Sequence, residues 1–331
     1  MPTASRATVA AMLAVALAAA IAPAAAAEKF TFLTNWFAEA EHGGFYQALA
    51  DGGYRNAGLD VTIRMGGPQV NGMQLLAAGQ ADCFMGYDVQ TMKGWEQGIR
   101  AVTVAAAFQK DPQVMIGHPE TVRRMEDLKG KTILISADAH NNYWPWLRSA
   151  YGLSDAQLRP YTFNIQPFLA DKNVVQQGYL SSEPYAIEKK TGVKPTVLLL
   201  ADHGWPPYAT TIVCMEETLK TRRSAVAAFV KASMEGWRAY LKGDPAAANA
   251  LIVKDNPAMT ADELANGIAQ LKATGMVTGG DAATHGIGIV TDERFAKTYR
   301  MLVEMKLLDA SKVEPKKTYT TEFVKDLKVM P

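Results

Sequence analysis

The feature that most constrains this chain is a regular alternation of short apolar runs with stretches of helical spacing, interrupted twice. Phe30 to Leu33, Asp60 to Arg64, Ala81 to Tyr87 and Ala101 to Phe108 have the length and composition of strands. Between them Gly43 to Ala57 and Pro68 to Ala78 carry helical spacing, with Pro68 where a first turn tolerates it. Such alternation builds parallel βαβ units, because a parallel neighbour needs a crossover long enough to hold a helix. The first interruption runs from Gln109 to Pro112. A second series then predicts strands at Val114 to Ile116, Thr132 to Ser136, Tyr161 to Ile165, Val174 to Leu180 and Val197 to Ala201, with helices at Tyr143 to Ala150 and Glu183 to Lys190. It closes at His203 to Tyr208, where Gly204, Pro206 and Pro207 break any regular pattern. Thr210 to Met215 reads as one more strand. Beyond it the chain is helical, with Val226, Phe229, Val230, Ser233, Trp237 and Leu241 along one face.

The economical arrangement is an α/β fold of two lobes, each a mostly parallel sheet flanked by helices. Residues 28–110 and 209–331 make lobe I, and residues 111–208 make an inserted lobe II. Two crossovers side by side form a hinge, at Phe108 to Asp111 and His203 to Tyr208. The groove between such lobes is where a small ligand is enclosed.

The stretch ahead of Glu28 has Arg6 as its only charge, then a 13-residue apolar run from Val9 to Ile21, then Pro23 and Ala24 to Ala27. That run is shorter than the roughly 20 residues of a spanning helix and has the layout of a cleavable signal peptide over residues 1–27. Ala25 and Ala27 are the small-residue pair before the cut. No cysteine follows to carry a lipid, so a soluble periplasmic protein, not a lipoprotein, is expected.

Several function classes lose support at once. With 34 Lys plus Arg against 33 Asp plus Glu, the net charge is +1 and there is no excess to neutralise a nucleic-acid backbone. No two of His42, His118, His140, His203 and His285 have metal-ligand spacing, so no metal is expected. There is no G-x-S-x-G elbow and no P-loop, and Gly286 with Gly288 supplies only two glycines of a dinucleotide fingerprint, so no cofactor is expected. Glu39 and Glu41 are close together, but spacing alone does not make them an acid and base. Cys83 and Cys214, the two cysteines, leave both a disulfide and two buried thiols open.

In open α/β sheets ligands lie beyond the carboxyl ends of the strands, and polar and aromatic residues collect at those positions here. After the first strand come Asn35, Trp36, Glu41, His42 and Tyr46; after the third, Tyr87 and Asp88; at the end of the fourth, Phe108 and Gln109. The second series repeats the arrangement with Ser136, Asn141, Tyr143 and Trp144, then with Ser181 and Glu183. These fifteen residues are the candidate ligand contacts. Local roles compete: Asn141, Asn142 or Ser182 serves equally as a helix cap, Trp36 as a core or hinge residue, and Gly43 and Gly44 as a close contact of helix on sheet. Tyr185, Trp205 and Tyr208 have the character of structural residues at the hinge.

The segment Thr34 to Asp60, with Asn35, Trp36, His42, Gly43, Gly44, Tyr46, Ala48, Gly53, Tyr54, Gly58 and Leu59, resembles the opening of periplasmic solute-binding proteins of ABC importers. The turn Gly66, Gly67, Pro68, the stretch Leu75 to Asp82 with Gly79, and the run from Gln177 and Gly178 to Glu183 and Pro184 extend the similarity. The subgroup it resembles serves thiamine-precursor pyrimidines, alkanesulfonates, taurine and nitrate. The resemblance implies the type II binding-protein fold, closure over a small molecule, and delivery to a membrane permease driven by an ATPase; a monomer is expected, since nothing in the sequence suggests an obligate dimer. It also implies that the strand entering each lobe after a crossover lies antiparallel between the third and fourth strands. The run holding Cys214 then neighbours the run holding Cys83, with a disulfide open on that basis. Fungal pyrimidine synthases share the fold but carry a cysteine-rich motif, from which this chain departs. Capture without chemistry is therefore expected.

Within the subgroup the pair Asn35 and Trp36, His42 with the glycines after it, and Tyr87 resemble the pyrimidine binders. A flat aminopyrimidine needs aromatic faces, which Trp36, Tyr87 and Trp144 supply, and acceptors for its amino groups, which Glu41, Asp88 and Glu183 supply. An anionic ligand, whether a sulfonate, taurine, nitrate or an aromatic acid, needs donors. The candidate loops hold no Arg or Lys before Lys110 and Arg148, leaving Ser136, Ser181, Ser182 and backbone N–H groups at helix starts. A nitrogen heterocycle is the expected ligand. A secreted enzyme acting on a heterocycle and a sensor-linked binding protein are the other readings.

Overall fold

The computed structural model describes residues 26–331. The apolar run of the expected signal peptide lies outside these residues. The chain forms ten strands among them: β1 (Glu28–Leu33), β2 (Leu59–Arg64), β3 (Cys83–Gly86), β4 (Ala101–Phe108), β5 (Gln113–Gly117), β6 (Thr132–Ile135), β7 (Leu158–Pro160), β8 (Val174–Tyr179), β9 (Thr196–Leu199) and β10 (Ala209–Met215). They divide into two five-stranded sheets, ordered β2-β1-β3-β10-β4 and β7-β6-β8-β5-β9. β1 pairs in parallel with β2 and β3, and β6 with β7 and β8. β10 is antiparallel to β3 and β4, and β5 is antiparallel to β8 and β9. Each antiparallel strand is the first the chain makes after crossing from the other sheet, so the connectivity changes sheets only twice.

β3, β4 and β5 are buried along their whole length, because helices cover both faces and leave no solvent side for polar alternation. On the first sheet Phe30 and Phe32 of β1 meet Phe229, with ring centroids 4.6 and 4.9 Å apart, and Phe45 packs on Phe32 at 4.6 Å. Phe229 belongs to the helix Arg223–Lys242, whose Val226, Val230, Ser233, Trp237 and Leu241 are likewise buried. Gly43 and Gly44 open the helix Gly43–Ala50 against this long helix. A Cβ on Gly44 would stand 2.2 Å from the Trp237 ring and one on Gly43 2.0 Å from Tyr240, so the close contact is helix on helix, not helix on sheet.

Cys83 and Cys214 form a disulfide. They are directly opposed partners in the β3–β10 ladder with Cα atoms 4.2 Å apart, close to the short separation that antiparallel strands give such pairs.

Three expected elements differ. The single helix over Gly43 to Ala57 is two, Gly43–Ala50 and Gly53–Asn56, because Gly52 takes a left-handed φ of 71° and ends the first. The helix expected from Pro68 begins at Gly72, capped by the Asn71 side chain on the N–H of Gln74, and Pro68 stays in the turn before it. The strand expected over Tyr161 to Ile165 is displaced. β7 ends at Pro160, and the following residues are a loop in which Phe163 has φ 61°, outside any strand geometry.

Candidate functional site

A narrow cavity lies where the carboxyl ends of β1, β3, β6 and β8 converge. From the first-sheet unit it is lined by Asn35, Trp36, Glu39 and Tyr87; from the second by Gln113, Ser136, Asp138, Ala139, Asn142, Tyr143, Gln177, Gly178, Tyr179 and Glu183. Trp36 leaves β1 on a turn held by the Thr34 hydroxyl, which donates to the Trp36 carbonyl at 2.8 Å. Its ring lies nearly parallel to that of Tyr161, with centroids 6.0 Å apart. Tyr87 is the N-cap of the helix Asp88–Glu96, and its hydroxyl is bonded across the cavity to that of Tyr179.

The opposite wall is set by glutamines in buried strands. Gln177 on β8 accepts from the Ser136 N–H at 2.6 Å and from the Tyr143 hydroxyl at 2.9 Å, which fixes the ring of Tyr143. Gln113 on β5 donates to the Gly178 carbonyl at 3.0 Å.

Three buried carboxylates meet at the floor. Glu183, at the start of the helix Glu183–Thr191, accepts from the Tyr161 hydroxyl at 3.1 Å and from the Tyr179 N–H at 2.8 Å. Glu39 accepts from the Ser182 hydroxyl at 2.9 Å, and Glu41 from the Ser181 hydroxyl. Two serines in succession on one unit therefore meet two carboxylates two residues apart on the other. Asn266 reinforces the contact by donating to the Ser181 carbonyl at 3.2 Å. Burial pushes the Glu183 carboxyl up to about 7, with neighbouring Glu41 adding to the rise and the Tyr179 N–H opposing it. Burial also raises Glu39 well above the usual carboxylate range, reinforced by Glu41 and Glu183, and raises Glu41. Asp138, bonded by the Gln90 amide at 2.5 Å, is raised by burial to about 6.

No Arg or Lys is among the lining residues. The two cations nearest in sequence are paired elsewhere, Lys110 with Asp202 at 2.6 Å and Arg148 with Asp155 at 2.5 Å. Two lining amides, Asn35 and Asn142, have a buried side-chain oxygen without a protein partner. The cavity is thus lined by aromatic rings, amides, hydroxyls and buried carboxyl groups, with no cationic side chain.

Of the candidate residues, the fold brings Asn35, Trp36, Tyr87, Ser136, Tyr143 and Glu183 to the cavity wall, with Glu41 and Ser181 bonded to each other beneath it. The others are spent elsewhere. His42 is buried and accepts from the Glu39 N–H at 3.2 Å through Nδ1; burial lowers it to about 3, so it is neutral. Tyr46 donates to Asp255 at 2.7 Å. Asp88 accepts from the Val89 N–H at 2.8 Å and from Thr298 at 3.0 Å. Phe108 packs edge-on against Trp237, and Gln109 donates to the carbonyls of Ala106 and Ile289. Asn141 ends a short 3₁₀ turn at the surface, and Trp144 donates to Asp155 at 2.7 Å. Sequence reasoning left Glu39 and Asn142 outside the fifteen, though both lie in the loops it pointed to, and did not select Gln113, Asp138, Gln177 or Tyr179. The available signal for Gln113 and Gln177 was an amide inside an otherwise apolar buried strand.

Two sheets that each receive an antiparallel strand from the other, with a cavity at their junction, are the architecture of the periplasmic binding proteins of type II. A protein of Bordetella bronchiseptica RB50 superposes with a TM-score of 0.71 at 15% identity, covering 90% of this chain and 96% of that one. The periplasmic aliphatic sulphonate binding protein SsuA from Escherichia coli gives a TM-score of 0.59 at 15% identity, over 88% of this chain and 91% of that one. The desulfurization enzyme DSZB gives 0.56 at 14% identity, over 91% and 98%. Among curated proteins none matches the chain by sequence. The chain belongs to the NMT1/THI5-like family, whose model matches residues 39–248, more than half of its length.

Proposed function

We propose that this protein is the extracytoplasmic binding component of an ABC importer and captures a small, flat nitrogen heterocycle, a thiamine-related aminopyrimidine or a close analogue. The observation that carries this reading is the acceptor-rich aromatic cavity: buried Glu39 and Glu183 and the unpartnered oxygens of Asn35 and Asn142, between the rings of Trp36, Tyr87 and Tyr143. Amino and protonated ring nitrogens satisfy those acceptors. A sulfonate or carboxylate would instead bring a negative charge into a buried site that has no lining cation and already disfavours the charged forms of Glu39, Glu41 and Glu183.

The contacts assigned to the ligand are Asn35, Trp36, Tyr87, Ser136, Tyr143 and Glu183, with Glu39 and Asn142 added. Residues 28–110 with 209–331 act as one lobe and residues 111–208 as the other, rotating about Phe108 to Asp111 and His203 to Tyr208. The closed form is the shape that a permease, coupled to its ATPase, would engage after export of the chain on a cleavable signal peptide.

A binding protein is favoured over an enzyme of the same fold because both cysteines are tied in the disulfide, which removes the thiolate as a nucleophile. The test is a melting-shift screen of the purified protein against aminopyrimidines, alkanesulfonates, taurine, nitrate and aromatic acids, with the ligand recovered and weighed by mass spectrometry. An aminopyrimidine that stabilises the protein and returns unchanged supports the proposal. Stabilisation confined to sulfonates, or a consumed heterocycle, overturns it.

A further inference from the structure

Away from the crossovers, the two units are joined by bonds between their own side chains. Ser181 and Ser182 of one unit donate to Glu41 and Glu39 of the other, the second pair at 2.9 Å. The contact extends outward through the Asn266 amide on the Ser181 carbonyl at 3.2 Å and the exposed ion pair of Lys189 with Asp262 at 2.9 Å. Ser181, Glu41 and Glu39 are all buried. Gly267 seats the helix Ala261–Thr274 tightly on this contact: a Cβ there would stand 2.6 Å from the Ala40 side chain and 3.5 Å from the Ser181 carbonyl. Neither serine, nor Glu41, is among the residues that line the cavity, so a molecule held there does not replace these bonds.

We infer that the two serine–carboxyl pairs are a latch that holds the units shut without ligand. Ser181 and Ser182 are then positioning residues that act through Glu41 and Glu39 to set how firmly the site retains its occupant. This rests on the reading of two hinged units given above and is independent of the ligand's identity. The physical basis is that a buried carboxyl group must keep a hydrogen-bond partner. When the units part, water reaches Glu39 and Glu41 and is that partner; when they meet, water leaves and the serine hydroxyls take its place. Each exchange is worth little net, so the latch opens to admit a solute. Removing a hydroxyl has a larger effect, because it leaves a carboxyl group buried without its donor in the closed form alone. A ligand that binds the closed form therefore finds that form already populated, and its apparent affinity carries no penalty for closure.

The experiment needs no ligand. The purified protein is refolded from urea to strip any bound solute, and small-angle X-ray scattering then reads the separation of the units. Hydrogen exchange at the Tyr179 N–H, which bonds Glu183 in the floor, reads local opening. Four proteins are compared: the wild type, the double variant Ser181→Ala with Ser182→Ala, Ser182→Trp as a wedge at the contact, and Ser233→Ala as a control. The Ser233 hydroxyl is buried too, but it bonds Tyr54 and Phe229 within one unit. The expected result is a wild type that scatters as the closed structure. The double variant then has a larger radius of gyration, and its Tyr179 N–H exchanges about tenfold faster or more. Ser233→Ala lowers the melting temperature and changes neither readout. A wild type already as expanded as Ser182→Trp overturns the latch and leaves the hinge standing, as does a double variant that stays compact with unchanged exchange while Ser182→Trp expands. If every variant, the wedge included, scatters as the closed structure, the units do not hinge and both readings fall.

Discussion

Trp205 and Asp111 join the two crossovers of this protein: the indole N–H of one donates to the buried carboxylate of the other at 2.7 Å. The second oxygen of Asp111 accepts from the Gln113 N–H at 3.0 Å, where β5 begins. Arg294 holds the same place from outside, donating to the carbonyls of Gln109 and Pro206 at 2.9 and 3.0 Å. The two crossovers are therefore bonded to each other, and any bending of one relative to the other must keep or remake these contacts. Trp205→Phe keeps most of the packing and leaves a buried carboxylate short of a donor. A stability loss of about 1–3 kcal/mol is expected in urea unfolding, with faster ligand release in stopped flow.

The disulfide does for the first-sheet unit what the hinge bond does for the crossovers. Cys83 precedes the inserted unit and Cys214 follows it, so the 131-residue loop it closes contains that unit entire. Replacing both cysteines by alanine is expected to lower stability by about 2–5 kcal/mol. Denaturant midpoints of the oxidised protein and the double variant check this, with the slope expected to rise as the unfolded chain, freed of its cross-link, exposes more surface.

Gly44 lies under Trp237, and an added methyl group has no room to move toward solvent because the Trp237 ring itself is fully buried. Gly44→Ala is expected to cost about 1–3 kcal/mol by overpacking, read as a drop in melting temperature without change in ligand stoichiometry.

The buried acids give the fold a pH dependence of definite sign. Glu183 and Asp111 are both raised to about 7, from ordinary values of 4.5 and 3.8, with burial as the main cause. The folded chain holds protons that the unfolded chain releases, so the stabilisation is full below those ordinary values and is lost as pH rises toward 7. His42 acts in the opposite direction. Held neutral by burial down to about 3, it removes stability as pH falls below 6.5. Glu183→Gln is expected to flatten the decline in melting temperature between pH 5 and about 7, leaving the His42 limb in place. A series of melting curves from pH 4 to 8 checks both limbs.

Much of this organisation was legible in the sequence for a physical reason. Strands buried on both faces are continuous apolar runs, and Gly204, Pro206 and Pro207 punctuate the return crossover. The rule that ligands lie beyond strand ends brought Asn35, Trp36, Tyr87, Ser136, Tyr143 and Glu183 into view. It failed for residues whose side chains turn back. Asp88 sits beside Tyr87 but accepts from the Val89 N–H in the first turn of its own helix and bonds Thr298, a partner 210 positions away that no local pattern reveals. Gln177 was hidden for the opposite reason: it lies inside a strand, and only the pairing of β8 with β6 and β5 puts its amide against Ser136 and Tyr143. The loop at Tyr161 to Ile165 read as a strand because its aromatic and apolar residues alternate, while the backbone at Phe163 obeys the packing on Trp36 and Phe37 instead.

The central claim is that a neutral or cationic aminopyrimidine is held between Trp36 and the carboxylate of Glu183. Calorimetric titration of 4-amino-5-hydroxymethyl-2-methylpyrimidine into the wild type, Trp36→Ala and Glu183→Gln tests it most directly. The account predicts one site per chain, weakened by about tenfold or more in each variant, with unfolding still cooperative. Absence of binding to the wild type, together with a saturable titration by an alkanesulfonate that Glu183→Gln strengthens, would contradict it.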